Sequence, residues 1–327
     1  MEGLVSKTKY FELGKVPIGI GAVLQGWHGG SCSVLDFRAM TNACPHDCFH
    51  CFTDKNKKTL KLEEIKGTID QAKDFGFEGI NYLGEGEPTI DSDFFPIIEH
   101  TSYRGITPVV FTDAATKLRD KEFVERLFYS RASVCPKCDS LINANYQNWI
   151  VGDKTGRYFN ERNEAIARLA EQGFNHLSGA GKTRLGFDMV ITKRNVDEVG
   201  QTLRWCRDKN IWIVFSTYLP AGRSGSKSFD KSLVLSPKEL TKMRETIQRV
   251  DASYGFNHPI YNNFGTFPCV EFMQIYGDGR VSPCPGNETI VGNVQTDSLK
   301  TLADRIRQQF PCHRLENQTG NCAYRPK

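Results

Sequence analysis

The sequence predicts an α/β protein, a partial (β/α)6 TIM-like barrel followed by a small C-terminal α+β unit. Three observations predict it. From about residue 33 to 220, short β-rich runs alternate with amphipathic stretches, the rhythm of repeated βα units and a parallel sheet. A polar, Gly/Ser-rich segment from Gly222 to Lys231 then leaves the repeated region. Beyond Cys269 the texture changes to a hairpin and a helix interspersed with cysteines.

Six strands are expected in order: Ser33 to Met40, Gly79 to Leu83, Ile106 to Phe111, Ser133 to Ser140, Leu185 to Ile191 and Ile211 to Leu219. Between the first two, Leu60, Leu62, Ile65, Ile69 and Ala72 make a helical stripe; Phe159 to Leu169 and Val196 to Cys206 make others. Six consecutive units suit an open partial barrel better than a closed eight-unit one, and periodicity alone leaves an open doubly wound sheet as the alternative. Ser236 before Pro237 and Glu239 starts a bridging helix. Phe272 to Tyr276 and Arg280 to Cys284, joined at Gly277-Asp278-Gly279, read as a hairpin, and Ser298 to Phe310 as a helix. The expected division is 1–32 as an N-terminal extension, 33–225 as the barrel, 226–268 as loop and bridging helix, and 269–327 as a unit too thin for a large core of its own.

Composition narrows the function classes. Lysine plus arginine (42) exceeds aspartate plus glutamate (38) by only four, and no block of like charge occurs, so nucleic acid is not an expected partner. No apolar run approaches the roughly 20 residues of a spanning helix, no secretory signal is evident, and the chain reads as cytoplasmic without a membrane partner. Eleven cysteines in such a chain argue for metal or redox chemistry before disulfides.

The densest group is Cys44-Pro45-His46-Asp47-Cys48-Phe49-His50-Cys51, on the loop after the first strand. Three soft thiolates suit an iron–sulfur cluster or zinc, the latter completed by His46 or His50. A [4Fe–4S] cube with three protein ligands leaves one iron open, which is a catalytic feature. The spacing Cys-x3-Cys-x2-Cys closely resembles the signature of the radical S-adenosylmethionine (radical SAM) superfamily. That resemblance implies a SAM-binding [4Fe–4S] cluster held by Cys44, Cys48 and Cys51. His50 stands where the family usually has an aromatic residue that packs on the cofactor.

Gly84-Glu85-Gly86-Glu87-Pro88-Thr89 begins where the second strand ends, and glycine there lets a ligand approach the backbone. It resembles the family's Gly-Gly-Glu-Pro segment, which receives the amino group of S-adenosylmethionine, with Glu85 in the place of the second glycine. A plain strand-to-helix turn is the alternative. By the same resemblance Thr112, Asp113, Ser140, Arg157 and Leu219 are expected to face the cofactor, because they end strands or follow them. Cys269, Cys284, Cys312 and Cys322, with Gly279 and Gly292-Asn293-Val294, look like the SPASM/Twitch extension of the family. They imply one auxiliary [4Fe–4S] cluster, with a zinc ribbon as the alternative.

Cys135, Lys137 and Asp139 alternate along the fourth strand and share one face, while Val134, Pro136 and Cys138 share the other. Cys206 reads as core, and Cys32 has no assignable role. The resemblance implies reductive cleavage of S-adenosylmethionine to a 5′-deoxyadenosyl radical that abstracts hydrogen from a substrate, with flavodoxin or ferredoxin as electron donor. An auxiliary cluster without an open iron favours oxidation, that is dehydrogenation, with epimerisation as a variant if a thiol such as Cys135 returns a hydrogen atom. A small polar metabolite such as a sugar or aminocyclitol is the first expectation for substrate. Peptide or protein modification is the alternative, and a zinc or electron-transfer protein without SAM chemistry is the reading from another class.

Overall fold

The computed structural model describes residues 34–177, 183–218, 222, 229–255, 273–283 and 287–310. All six expected barrel strands form, most of them shorter than the apolar runs that announce them: β1 Val34–Phe37, β2 Gly79–Tyr82, β3 Thr107–Thr112, β4 Ser133–Pro136, β5 Gly186–Ile191 and β6 Trp212–Thr217. β1 through β4 pair parallel in sequence order, as do β5 and β6. The parallel bridges Val134 to Leu185 and Lys137 to Asp188 carry the order from β4 to β5. Consecutive parallel neighbours one to six are those of a partial barrel, and the doubly wound alternative, which requires a reversal of strand order, drops out.

The helices cover one face of this sheet. They are α1 Leu62–Phe75, α2 Phe94–Tyr103, α3 Lys121–Tyr129, α4 Ala144–Ile150, α5 Tyr158–Glu171 and α6 Val199–Asp208. Leu35, Phe37, Ile80, Tyr82, Val110, Val134, Phe187, Met189, Ile213 and Phe215 join the apolar side chains of α1 to α3, α5 and α6 in one buried cluster. Alternation along each strand turns the intervening residues, Asp36, Asn81, Cys135, Asp188 and Trp212 among them, toward the lumen. α7, Pro237–Ser253, starts where expected: Ser236 Oγ accepts from the Glu239 amide while the Glu239 carboxylate takes the Ser236 amide at 2.7 Å.

The C-terminal hairpin does not stand apart. Its strands are β7 Gln274–Ile275 and β8 Arg280–Ser282, turned at Gly279 with φ +82°, and β9 Gly292–Asn293 follows. β7 pairs parallel with β1, Asp36 opposite Gln274 and Phe37 opposite Ile275. Its helix α8, Leu299–Gln309, buries Leu299, Leu302, Ala303 and Ile306 in the same cluster as the barrel, so this thin unit borrows the barrel's core. Among the described residues no helix is long and apolar enough to cross a membrane.

Candidate active site

Cys44, Cys48 and Cys51 lie half-buried on the loop between β1 and α1, their thiols free of disulfides. The loop has no regular structure of its own, so its backbone groups find partners elsewhere. On one side the amides of Gly86 and Glu87 donate to the carbonyls of Thr41 and Ala43, both at 2.9 Å. On the other, the amides of Asp47 and Phe49 donate to Val151 and Ile150, at the end of α4, at 3.2 and 3.0 Å. Phe49 stacks on Trp149 with ring centroids 4.6 Å apart.

Glycines make these approaches possible. A Cβ on Gly86 would sit 2.1 Å from the Ala43 carbonyl oxygen, and one on Gly152 would sit 2.6 Å from that of Asp47. One on Gly222 would meet the Phe52 backbone at 2.3 Å. At Gly86 the space a side chain would take is filled by the cysteine loop itself. Gly84 has φ +68°, and its side-chain position faces the Gly86 carbonyl and the Pro88 ring.

The carboxylates of the second motif are engaged. Glu87, buried, accepts from Thr89 Oγ1 and Thr112 Oγ1 at 2.6 Å and from the Asp113 amide at 2.7 Å, which ties the end of β2 to the end of β3. Burial and the neighbouring Asp113 push its carboxyl up to about 8. Pro88 opens a single 3-10 turn, Pro88–Ile90, capped by Glu87. Glu85 accepts from the Asn56 amide at 3.2 Å, and Thr53 Oγ1 donates to its carbonyl at 2.8 Å, which anchors the segment after Cys51.

Asp113 reaches the cysteine loop directly: its Oδ2 lies 3.0 Å from His46 Nε2. Tyr158, which sequence reasoning did not single out, meets the His46 ring edge-on at 4.8 Å and donates to the Asp113 carbonyl at 3.0 Å. Ser140 is buried; its Oγ donates to Glu198 at 2.5 Å and its carbonyl accepts from the buried Arg162 at 2.9 Å. Arg157 is exposed and lines, with Pro45, His46, Lys154 and Tyr158, a cleft of about 320 Å³ beside the loop. His50 is buried, 3.9 Å from Asp139, and its Nδ1 has no partner among the described residues. Leu219 and the four cysteines Cys269, Cys284, Cys312 and Cys322, with Cys32, lie outside the described residues.

The fourth strand divides its faces as its alternation predicts. Cys138 packs in the apolar cluster between strands and helices, with Cys206 from α6. Lys137 turns to the lumen, where its ammonium meets Asp188 at 2.8 Å and Asp139 at 3.3 Å. Burial opposes that charge, yet the two carboxylates hold the Lys137 ammonium above its ordinary value. Burial pushes the Cys135 thiol well up, so it is protonated at neutral pH.

The thiol set fits an iron–sulfur group. Burial pushes Cys44 up to about 11 and Cys48 well above the usual range, the latter reinforced by Cys44 and Cys51. Thiols buried in this way give up their protons readily only to a cationic partner such as an iron–sulfur cluster.

A partial parallel barrel with a three-thiolate loop at the carboxyl end of its first strand defines a class of iron–sulfur enzymes. The chain belongs to the radical SAM superfamily, whose family model matches residues 39–206. Mycofactocin maturase MftC of Mycolicibacterium smegmatis is 23% identical over 56% of this chain and 44% of its own length. An S-adenosylmethionine-dependent nucleotide dehydratase of Flammeovirga pacifica is 25% identical over 60% of this chain and 64% of its own. The matched stretch thus spans about half the length of these relatives. In fold, the chain resembles Streptococcus suis SuiB bound to precursor peptide SuiA, with a TM-score of 0.63, 17% identity, and 91% of this chain and 69% of that chain covered. It likewise resembles native anSMEcpe with bound AdoMet and Cp18Cys peptide, with a TM-score of 0.63, 15% identity, and 89% and 86% covered.

Proposed function

We propose that this radical SAM enzyme modifies a peptide or protein side chain. The observation that carries the reading is the likeness in fold of about nine-tenths of the chain to two structures that hold peptides. It takes the place of the sugar or aminocyclitol that the sequence alone put first. Bound at Cys44, Cys48 and Cys51, a reduced [4Fe–4S] cluster with S-adenosylmethionine supplies a 5′-deoxyadenosyl radical able to take a hydrogen atom from the substrate.

The residues of the chain hold and shield. Backbone hydrogen bonds from Gly86, Glu87, Asp47 and Phe49 fix the cysteine loop, so that little reorganisation is left for the reaction. The groups with spare hydrogen-bonding capacity toward S-adenosylmethionine are His50 Nδ1 and the exposed guanidinium of Arg157. The carboxylate of Glu87 and the hydroxyl of Thr112 are spent on each other, so their part is to orient the Gly84 to Pro88 segment. Oxidation of the substrate is the favoured outcome, because a second cluster at Cys269, Cys284, Cys312 and Cys322 would have no open iron and would serve as an electron acceptor.

Anaerobic reconstitution with iron and sulfide, reduction with S-adenosylmethionine present, and assay of 5′-deoxyadenosine test the class. Formation is expected in wild type and lost in Cys44→Ala/Cys48→Ala/Cys51→Ala. Including a synthetic peptide pool tests the substrate: stimulated formation together with a mass change in a peptide supports it. Stimulation by sugars or nucleotides alone sinks the peptide reading.

A further inference from the structure

Register across four strands builds a second polar constellation beneath the cysteine loop. Asp36 on β1 is opposite Asn81 on β2 and opposite Gln274 on β7, and Gln274 is opposite Ser282 on β8. All four are buried, at 3%, 6%, 0% and 0% exposure. Asn81 Nδ2 donates to Asp36 Oδ1 at 2.9 Å, which fixes the amide and leaves Asn81 Oδ1 facing away. Gln274 Nε2 reaches Ser282 Oγ at 3.4 Å, which turns its Oε1 elsewhere. Neither amide oxygen has a partner among the described residues.

A buried acceptor left without a donor is costly, and two lie on the strands either side of one carboxylate here. Two residues further along β1, the Arg38 guanidinium lies over the Phe52 and Tyr276 rings at 4.7 and 5.3 Å. Phe52 follows Cys51, so the row sits one side chain below the cysteine loop. Burial disfavours the charged forms of Asp36 and Glu85, and the Arg38 guanidinium favours them.

We propose that Asn81, Asp36 and Gln274 form the subsite that receives a protonated amine of the substrate, the ammonium donating to the two orphan amide oxygens and to the Asp36 carboxylate. The inference rests on the barrel lumen being the substrate chamber. In a peptide, such a group is a lysine side chain or an amino terminus.

Methylammonium and acetate, two probes of equal size and opposite charge, test it by NMR line broadening against the reconstituted holoenzyme reduced in the absence of S-adenosylmethionine, the state in which a [4Fe–4S] cluster is paramagnetic. Methylammonium is expected to be broadened more than acetate by wild type, and the effect to fall about tenfold in Asn81→Leu/Gln274→Met, the loss of charge-assisted hydrogen bonds. Asn81→Leu also takes a donor from the buried Asp36, so the melting temperature of that variant is expected to fall, and far-UV circular dichroism at the assay temperature establishes that it is folded. Gln274→Glu, which keeps an acceptor, is expected to retain broadening. Equal broadening of acetate, undiminished broadening in the double variant, or failure of both single variants Asn81→Leu and Gln274→Met to fold would overturn it. The readout needs no cleavage of S-adenosylmethionine, so a failed peptide assay with methylammonium binding intact sinks the peptide reading alone.

Discussion

Gly86 and Ala43 approach so closely that a methyl group on Gly86 would lie 2.1 Å from the Ala43 carbonyl oxygen. The atom in the way is backbone and has nowhere to yield. Gly86→Ala is therefore expected to destabilise by about 1–3 kcal/mol or more and to lower iron bound per chain after reconstitution. Gly67→Ala, in mid-α1 with nothing within 4 Å, is the control, expected to stabilise by about 0.5–1 kcal/mol. Urea melts and iron assays check both.

Lys137 neutralises Asp139 and Asp188 inside the barrel. Lys137→Met leaves two carboxylates buried side by side, and a loss of about 3–5 kcal/mol is expected. Lys137→Met/Asp188→Asn is expected to recover part of it. Recovery measured by denaturant melts at one pH would separate charge from packing; none would mean that the lysine acts through its stem.

Burial pushes the Asp36 carboxyl up to about 6 from 3.8, against the opposing pull of Asn81 and Arg38. A carboxyl whose folded value is raised contributes its full stability below pH 3.8 and loses it as pH climbs through about 6. Asp36→Asn keeps the oxygen that Asn81 binds and removes this dependence. The variant is expected to equal wild type near pH 4 and to exceed it by up to about 3 kcal/mol at pH 7. A gap that does not widen between those values in paired melts would refute the assignment.

Chelation of iron is expected to leave far-UV circular dichroism unchanged. The loop that carries Cys44, Cys48 and Cys51 is held by backbone bonds to Gly86, Glu87, Ile150 and Val151 that involve no metal. Loss of helical signal on chelation would show that the metal, not these bonds, organises the carboxyl end of the barrel.

The barrel was legible because strands buried on both faces read as continuous apolar runs, and the sheet follows the order in which they occur. Three helices gave no such sign. In α2, Phe94, Phe95, Ile97 and Ile98 crowd so closely that no stripe stands out, and the short α4 buries Gln147 and Asn148 beside Tyr146 and Ile150, which breaks the apolar pattern. The cysteine loop was legible because its three cysteines fall within eight residues. Its supports at Ile150, Gly152 and Gly222 were not, since they meet it only through folding. The row of Asn81, Asp36 and Gln274 is likewise a product of register between distant strands, which no local pattern announces.

The pairing of β7 with β1 links the order of synthesis to maturation. Until residues 274 and 275 have emerged, β1 has one open edge, and Asp36 and Arg38 lack Gln274 and Tyr276 as neighbours. The loop that follows β1 finds its backbone partners at Gly86, Glu87, Ile150 and Val151 earlier than that, so it is the strand beneath the loop, not the loop, that waits for the hairpin.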